Sequence, residues 1–181
     1  MRTSILSFCC LSVIICLNTC RQNEAQHKIY IEADSLLRIT LDLQSRISSP
    51  GIQRLHDFEI EISKDLVTLS DIPEEDTSMV KYLELYNGLG NCMQACNQFH
   101  EEAFLLENSL LEIIDQVQGK NPDRDTLTAR LQFEKDNLLD LSTRIDSSLD
   151  LALQQAETFY SLKPEINKIK EQFVPGQNPT Q

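Results

Sequence analysis

The chain has 181 residues, of which 41% are hydrophobic and 24% charged, and this length fits one domain with its own hydrophobic core. Its 28 acidic and 16 basic residues give a net charge of −12, which argues against nucleic acid as a partner because such proteins need a basic face. With only 3 His, the sequence offers no imidazole-rich metal or acid–base cluster.

The first twenty residues have the pattern of an export signal. Arg2 precedes an apolar run over residues 5–17, which is shorter than the roughly 20 residues of a bilayer span. The run ends in Leu17-Asn18-Thr19-Cys20, which resembles the lipobox of bacterial lipoprotein precursors. The resemblance implies a signal peptide over residues 1–19 and a diacylglyceryl group on Cys20, the new N-terminus. Plain secretion and retention of the run as an anchor are the alternatives.

The lipobox resemblance also implies a location. A lipid-modified Cys20 would hold the protein on a membrane of the bacterial cell envelope, in the outer membrane and facing either the periplasm or the cell surface. Two acyl chains are enough for stable anchoring, whereas a single chain binds reversibly. We predict a short tether over residues 20–25, a helical bundle over 26–173 and a flexible tail over 174–181.

Two helices open the predicted bundle, over about residues 24–47 and 52–69, and Ser48-Ser49-Pro50-Gly51 separates them. Asp71, three residues before Glu74, predicts a cap for the helix that follows. Each of the two helices carries one apolar stripe. The stripe residues are Ile29, Ala33, Leu36, Leu43 and Ile47 in the first helix, and Leu55, Phe58, Ile62, Leu66 and Leu69 in the second.

The third helix has the clearest pattern in the chain. Eleven apolar residues follow one another in alternating steps of three and four, which predicts a long helix from Met79 to Gln118 that packs along a continuous seam. The eleven are Tyr82, Leu85, Leu89, Cys92, Cys96, Phe99, Ala103, Leu106, Leu110, Ile113 and Val117.

A short connection joins the third helix to the fourth. Gly119 fits the end of the third helix, and Asn121 followed by Pro122 fits an N-cap and the first residue of the fourth. So short a connection forces an antiparallel hairpin. Pro164 is expected to kink or break the fourth helix near Tyr160. The fourth stripe contains Leu127, Leu131, Leu138, Leu141, Ile145, Ala152, Phe159, Leu162, Ile166, Ile169 and Phe173.

These lengths predict an all-α fold, an elongated antiparallel bundle of three long helices with the first bent or broken at Pro50-Gly51. The two opening helices, placed end to end, match the hairpin in length, so they can cover its whole apolar seam. A chain reversal at Pro50-Gly51 would instead produce a four-helix bundle, which is the alternative.

Cys92, Cys96, His56 and His100 are the candidate metal ligands. Cys92, Cys96 and His100 lie along one helix, and the predicted packing brings His56 to the same level, so the four could hold Zn²⁺ or a soft metal ion. Both cysteines also lie on the apolar seam, where a free thiol packs as a small hydrophobic group, and we favour this interpretation. A disulfide is a further alternative.

Three other residues depart from the apolar pattern. Glu134 occupies a seam position, and we expect it to reach solvent or to pair with a Lys or Arg rather than to act as a buried acid–base group. Gly88 and Gly90 interrupt a helix in which each glycine costs about 1 kcal/mol relative to Ala. We expect them to allow a close helix approach at the level of Ala152 and Ala156, with a local bend as the alternative.

We predict a membrane-tethered, non-catalytic helical-bundle lipoprotein without a cofactor. Its layout is similar to that of small helical-bundle lipoproteins of Gram-negative envelopes. It would act as an envelope scaffold, a spacer or a protein-binding module, with another envelope protein or further copies of itself as partner and no nucleic acid. The alternative is a metal-binding bundle that uses Cys92, Cys96, His56 and His100.

Overall fold

A computed structural model describes the backbone of residues 2–70, 76–119 and 122–173, and the side chains from Glu24 onwards within those ranges except that of Phe173. It contains four helices, α1 (Arg2–Ile47), α2 (Pro50–Thr68), α3 (Thr77–Gln118) and α4 (Arg124–Phe173), and no strand within those ranges. The predicted all-α fold is therefore confirmed. The predicted signal peptide and Cys20 lie outside the residues whose side chains are described, as does the tail over 174–181.

The chain forms two compact units, one from Met1–Asp42 with Ala103–Asp140 and the other from Leu43–Glu102 with Leu141–Gln181. We call them unit 1 and unit 2. No helix among the described residues has both the length and the apolar character needed to cross a membrane.

Unit 1 is built from one segment each of α1, α3 and α4. Ser109 bonds to Glu134, whereas Glu112, three residues further along α3, pairs with Arg130, four residues back along α4. The α3 and α4 segments are therefore antiparallel. Lys135 of α4 pairs with Glu32 of α1 at 2.8 Å. The buried core of this unit includes Ala33, Leu36, Leu106, Leu110, Ile113, Leu127, Leu131 and Leu138.

Contacts with α4 in unit 2 show that the chain bends between α1 and α2 and does not reverse its direction. Before the break, Arg46 pairs with Asp146 of α4, and after it Phe58 stacks on Phe159. The chain thus advances along α4 in the same direction on both sides of the break. The α3 segment runs antiparallel to α4, since Gly88 lies against Gln155 and Cys92, four residues further on, lies against Ser148. The four-helix alternative is not adopted.

The bend itself lies just before the predicted position. The helical hydrogen bonds stop at Ser48 and Ser49, and Pro50 is the first residue of α2. A proline is well tolerated there because its missing N–H has no helical acceptor, and its fixed φ suits the first turn. The N–H of Ile52 then donates to the carbonyl of Ser49 at 3.0 Å.

Aspartates cap α3 and α4. Asp76 accepts hydrogen bonds from the N–H groups of Ser78 and Met79 at the start of α3. The cap predicted between Asp71 and Glu74 lies outside the described residues. At the start of α4, Asp123 accepts from the N–H and hydroxyl of Thr126, so the predicted start at Asn121 and Pro122 is wrong by about two residues. A carboxylate at an N-cap both accepts these bonds and complements the helix dipole.

The predicted stripes form the core with few exceptions. All eleven stripe residues of α3 are buried, and the stripe of α4 is buried from Leu127 to Ile166. Of the kink or break expected near Tyr160, the break does not occur, since α4 continues through Pro164 to Phe173. Pro164 is exposed, while Phe159, Leu162 and Ile166 are buried on the core side of the same helix, so their packing holds the helix together around it.

Candidate functional site

Cys92 and Cys96 lie in the core of unit 2 as free thiols, each only 4% exposed. The sulfur of Cys92 is 3.9 Å from the carbonyl oxygen of Ser148 on α4. Its hydrogen bond with the Cys96 thiol, together with burial, raises the pKa of Cys92 above its ordinary value. Cys92 therefore stays protonated and packs as a small apolar group.

The two histidines that could complete a metal site have other partners. His56 is exposed, and its Nδ1 lies 3.3 Å from Glu59 Oε2. His100 is also exposed, with its Nε2 3.0 Å from the Ser48 hydroxyl. Within the described ranges, no three His, Cys, Asp or Glu side chains come together in a group that could hold a metal ion. The candidate set of Cys92, Cys96, His56 and His100 is thus not assembled in this structure.

Glu134 is partly buried and forms hydrogen bonds within unit 1. Its carboxylate accepts from the Ser109 hydroxyl on α3 and from Asn137 Nδ2 at 3.1 Å. The partners are therefore a hydroxyl and an amide rather than the Lys or Arg that the sequence predicted.

The two glycines of α3 have different surroundings. A Cβ at Gly88 would come within 2.7 Å of Gln155 Nε2 on α4, so the amide end of that side chain fills the space beside this glycine. A Cβ at Gly90 would lie 3.7 Å from Glu59 Oε1, an ordinary contact distance. The two glycines therefore face the side chains of Gln155 and Glu59, and neither lies against the two alanines that the sequence predicted.

A buried ionic cluster that the sequence did not predict joins α2, α3 and α4 in unit 2. Asp65 of α2 is 5% exposed and accepts hydrogen bonds from the Tyr82 hydroxyl and the Lys163 ammonium group, both at 2.8 Å. Lys170 donates to the other carboxylate oxygen. Lys163 also pairs with Glu61. We call Asp65, Tyr82, Lys163 and Lys170 the Asp65 cluster.

The electrostatics of the Asp65 cluster make it a structural feature. Burial by itself would raise the pKa of Asp65, but hydrogen bonds from Lys163, Lys170 and Tyr82 outweigh burial and keep that pKa below its ordinary value. Burial and the hydrogen bond to Asp65 raise the pKa of Tyr82. At neutral pH the Asp65 carboxylate is therefore charged, with both oxygens accepting hydrogen bonds, and the Tyr82 phenol is protonated. Neither group is poised for proton transfer.

One signal in the sequence could have revealed Asp65. It lies three residues after Ile62 and four before Leu69, both fully buried, so it shares their helix face. The apolar stripe predicts Leu66 at this level instead, and an aspartate is seldom buried. The partners Lys163 and Lys170 could not be identified locally, since they lie about 100 residues away.

Unit 1 exposes a group of large apolar side chains on α3. Phe104, Leu105 and Leu111 are 59%, 67% and 44% exposed, respectively. Phe104 and Leu111 are seven residues apart and therefore lie on the same side of the helix, with Leu105 beside Phe104. We call these three residues the α3 apolar face. They lie off the buried stripe, so the core does not account for them.

Comparisons with known proteins found no matching family model, no matching curated protein and no matching solved structure. The assignment of function therefore depends on the sequence pattern and the geometry described above.

Proposed function

We propose that this protein is a lipid-tethered, non-catalytic helical module of the bacterial envelope that acts by binding another protein, as a scaffold or spacer. The observation that carries the proposal is the α3 apolar face. Phe104, Leu105 and Leu111 form a cluster on one helix and remain in contact with water.

A partner that buries the α3 apolar face would gain binding free energy from it. Each Å² of apolar surface removed from water contributes about 25 cal/mol, and aromatic residues often dominate the energetics of protein interfaces. The acidic character of the chain, with a net charge of −12, favours a partner with a complementary basic rim around an apolar centre. Such a partner would cover the face without needing any catalytic group from this chain.

The lipobox-like Leu17-Asn18-Thr19-Cys20 supports the tether. Removal of residues 1–19 would leave 15 basic and 28 acidic residues, a net charge of −13. An anionic membrane surface would repel such a domain, so membrane attachment would come from the two acyl chains on Cys20. The helical module would then be free to contact its partner.

Crosslinking in the native envelope, followed by mass spectrometry, tests the binding function. The double variant Phe104→Ser/Leu105→Ser should reduce the yield of the specific adduct about tenfold or more, because it removes the centre of the interface. The matched control is Phe133→Ser/Leu139→Ser on α4 of the same unit, whose side chains are 63% and 69% exposed.

The mass of the adduct identifies the partner as a second copy of the chain or as a different protein. The control variant should keep the wild-type yield. Equal losses in both double variants, or no loss in either, would overturn the assignment of the interface to the α3 apolar face.

A further inference from the structure

Unit 2 contains an apolar groove between α2 and α4, with a volume of about 350 Å³. It begins at the helix bend beside Ser49 and Gly51 and extends along α2 to Phe58. Its floor includes the buried side chains of Ile52 and Leu55. The space exists because small residues, Ala152 and Ala156 on α4 and Gly51 on α2, leave the facing helices without side chains to fill it.

An aromatic group forms one end of the groove. The ring of Phe58 stacks on Phe159 with 4.3 Å between centroids, and Tyr160 packs edge-on against Phe58 at 5.4 Å. Phe58 and Tyr160 both line the groove. Because the three rings hold one another in place, this wall needs little rearrangement to receive a ligand.

Arg54 supplies the electrostatic character of the groove. Of the described residues that line it, Arg54 alone carries a charge, and no carboxylate is among them. Arg54 also forms no ion pair with any residue in the part of the chain that the structure describes. In a chain with a net charge of −12, a guanidinium that has no carboxylate partner among the described residues and lies beside an apolar groove favours an anionic ligand group.

We propose that this groove binds a single-chain anionic amphiphile such as a fatty carboxylate. The aliphatic chain would lie over Ile52 and Leu55 against the aromatic wall, and the carboxylate would pair with Arg54. The volume is at the lower end of the 300–1,000 Å³ that small-molecule sites occupy, which suits one chain. It is too small for a partner helix, which is about 10 Å wide with its side chains.

Calorimetric titration of the full chain with dodecanoate, below its micelle concentration, tests the proposal. Dodecanol and dodecyltrimethylammonium have the same chain length with a neutral and a cationic head group. We expect saturable binding of one dodecanoate per chain, at least about tenfold tighter than either analogue, because a charge-assisted pair forms in a partly apolar site.

Two variants separate the head-group site from the chain site. Arg54→Gln should weaken dodecanoate to the affinity of dodecanol, whereas Arg38→Gln, at an exposed arginine of unit 1, should change nothing. Ala156→Leu should abolish binding of all three amphiphiles by filling the groove, whereas Ala129→Leu, at an exposed alanine of α4, should not.

The titrations also define how the proposal fails. Absence of saturable binding up to about 1 mM dodecanoate overturns it, as does equal affinity for all three head groups. Circular dichroism melting checks that each variant is folded. If Ala156→Leu does not fold, Arg54→Gln still decides, because its exposed side chain is not part of the core.

Discussion

Asp65 places a full negative charge among the packed helices of unit 2, with three donors on its two oxygens. Removing one partner of a buried ion pair destabilises a protein more than replacing the whole pair by apolar residues. The charge that remains still bears its desolvation penalty but has lost its partner. Lys163 and Lys170 are partly exposed and could turn towards solvent, which limits that penalty. Tyr82 is fully buried and has no such freedom.

We therefore expect Asp65→Asn to lower the free energy of unfolding by about 2–4 kcal/mol. Urea denaturation monitored by circular dichroism measures this difference. Asp57→Asn, at an exposed aspartate of the same helix, is the control and should change stability by less than about 0.5 kcal/mol. A loss at Asp65 no greater than that of the control would show that the cluster does not stabilise the fold.

The same carboxylate predicts a pH dependence. The pKa of Asp65 is lower in the folded protein than its ordinary value of 3.8, so the folded state favours the ionised form. Its stabilisation is complete above the unfolded pKa and is lost as the pH falls through the folded pKa. The stability difference between wild type and Asp65→Asn should therefore be constant above about pH 5 and shrink below pH 3.8. A difference that stays constant down to pH 2 would contradict this account.

At the scale of the helix, two glycines within one turn of α3 have different surroundings. Gly88 lies against Gln155, whose amide occupies the space a Cβ would need. Gly90 has room for a methyl group, so its only effect on the helix is a loss of backbone stability.

We expect Gly90→Ala to raise the free energy of unfolding by about 0.5–1 kcal/mol, the usual gain for Ala over Gly within a helix. Gly88→Ala should raise it less, because Gln155 must move. The double variant Gly88→Ala/Gln155→Ala should recover the missing gain. Thermal melting of the four proteins checks this order, and equal effects at the two glycines would mean that the Gln155 contact carries no cost.

At the scale of the whole molecule, the proposed tether separates attachment from binding. Attachment would depend on Cys20 and its acyl chains, whereas binding would depend on side chains of the helical units. We therefore expect Cys20→Ala to abolish incorporation of labelled fatty acid into the protein without changing the adduct of the purified proteins. The variant should stay uncut, because the lipoprotein signal peptidase acts on the lipid-modified cysteine. Globomycin, which blocks lipoprotein signal peptidase, should cause the uncut precursor to accumulate. Normal processing in its presence would exclude the lipoprotein assignment.

The sequence by itself determined the helices and most of their buried faces. The alternating steps of three and four from Tyr82 to Val117 identify a helix face because helical geometry is local, and every residue of that set is buried. Local chemistry also located the bend before Pro50. The sequence misplaced the start of α4 because Asp123 and Asn121 are both acceptable caps, and the choice depends on where packing ends the loop.

Only the tertiary structure decided which side chains meet. Asp65, Tyr82 and Lys163 come from three helices and lie up to 98 residues apart along the chain, so no local pattern links them. The continuity of α4 through Pro164 and the groove beside Arg54 also depend on contacts between helices. Local rules determine a helix face, but a contact between helices depends on the register and spacing set by the whole packed unit.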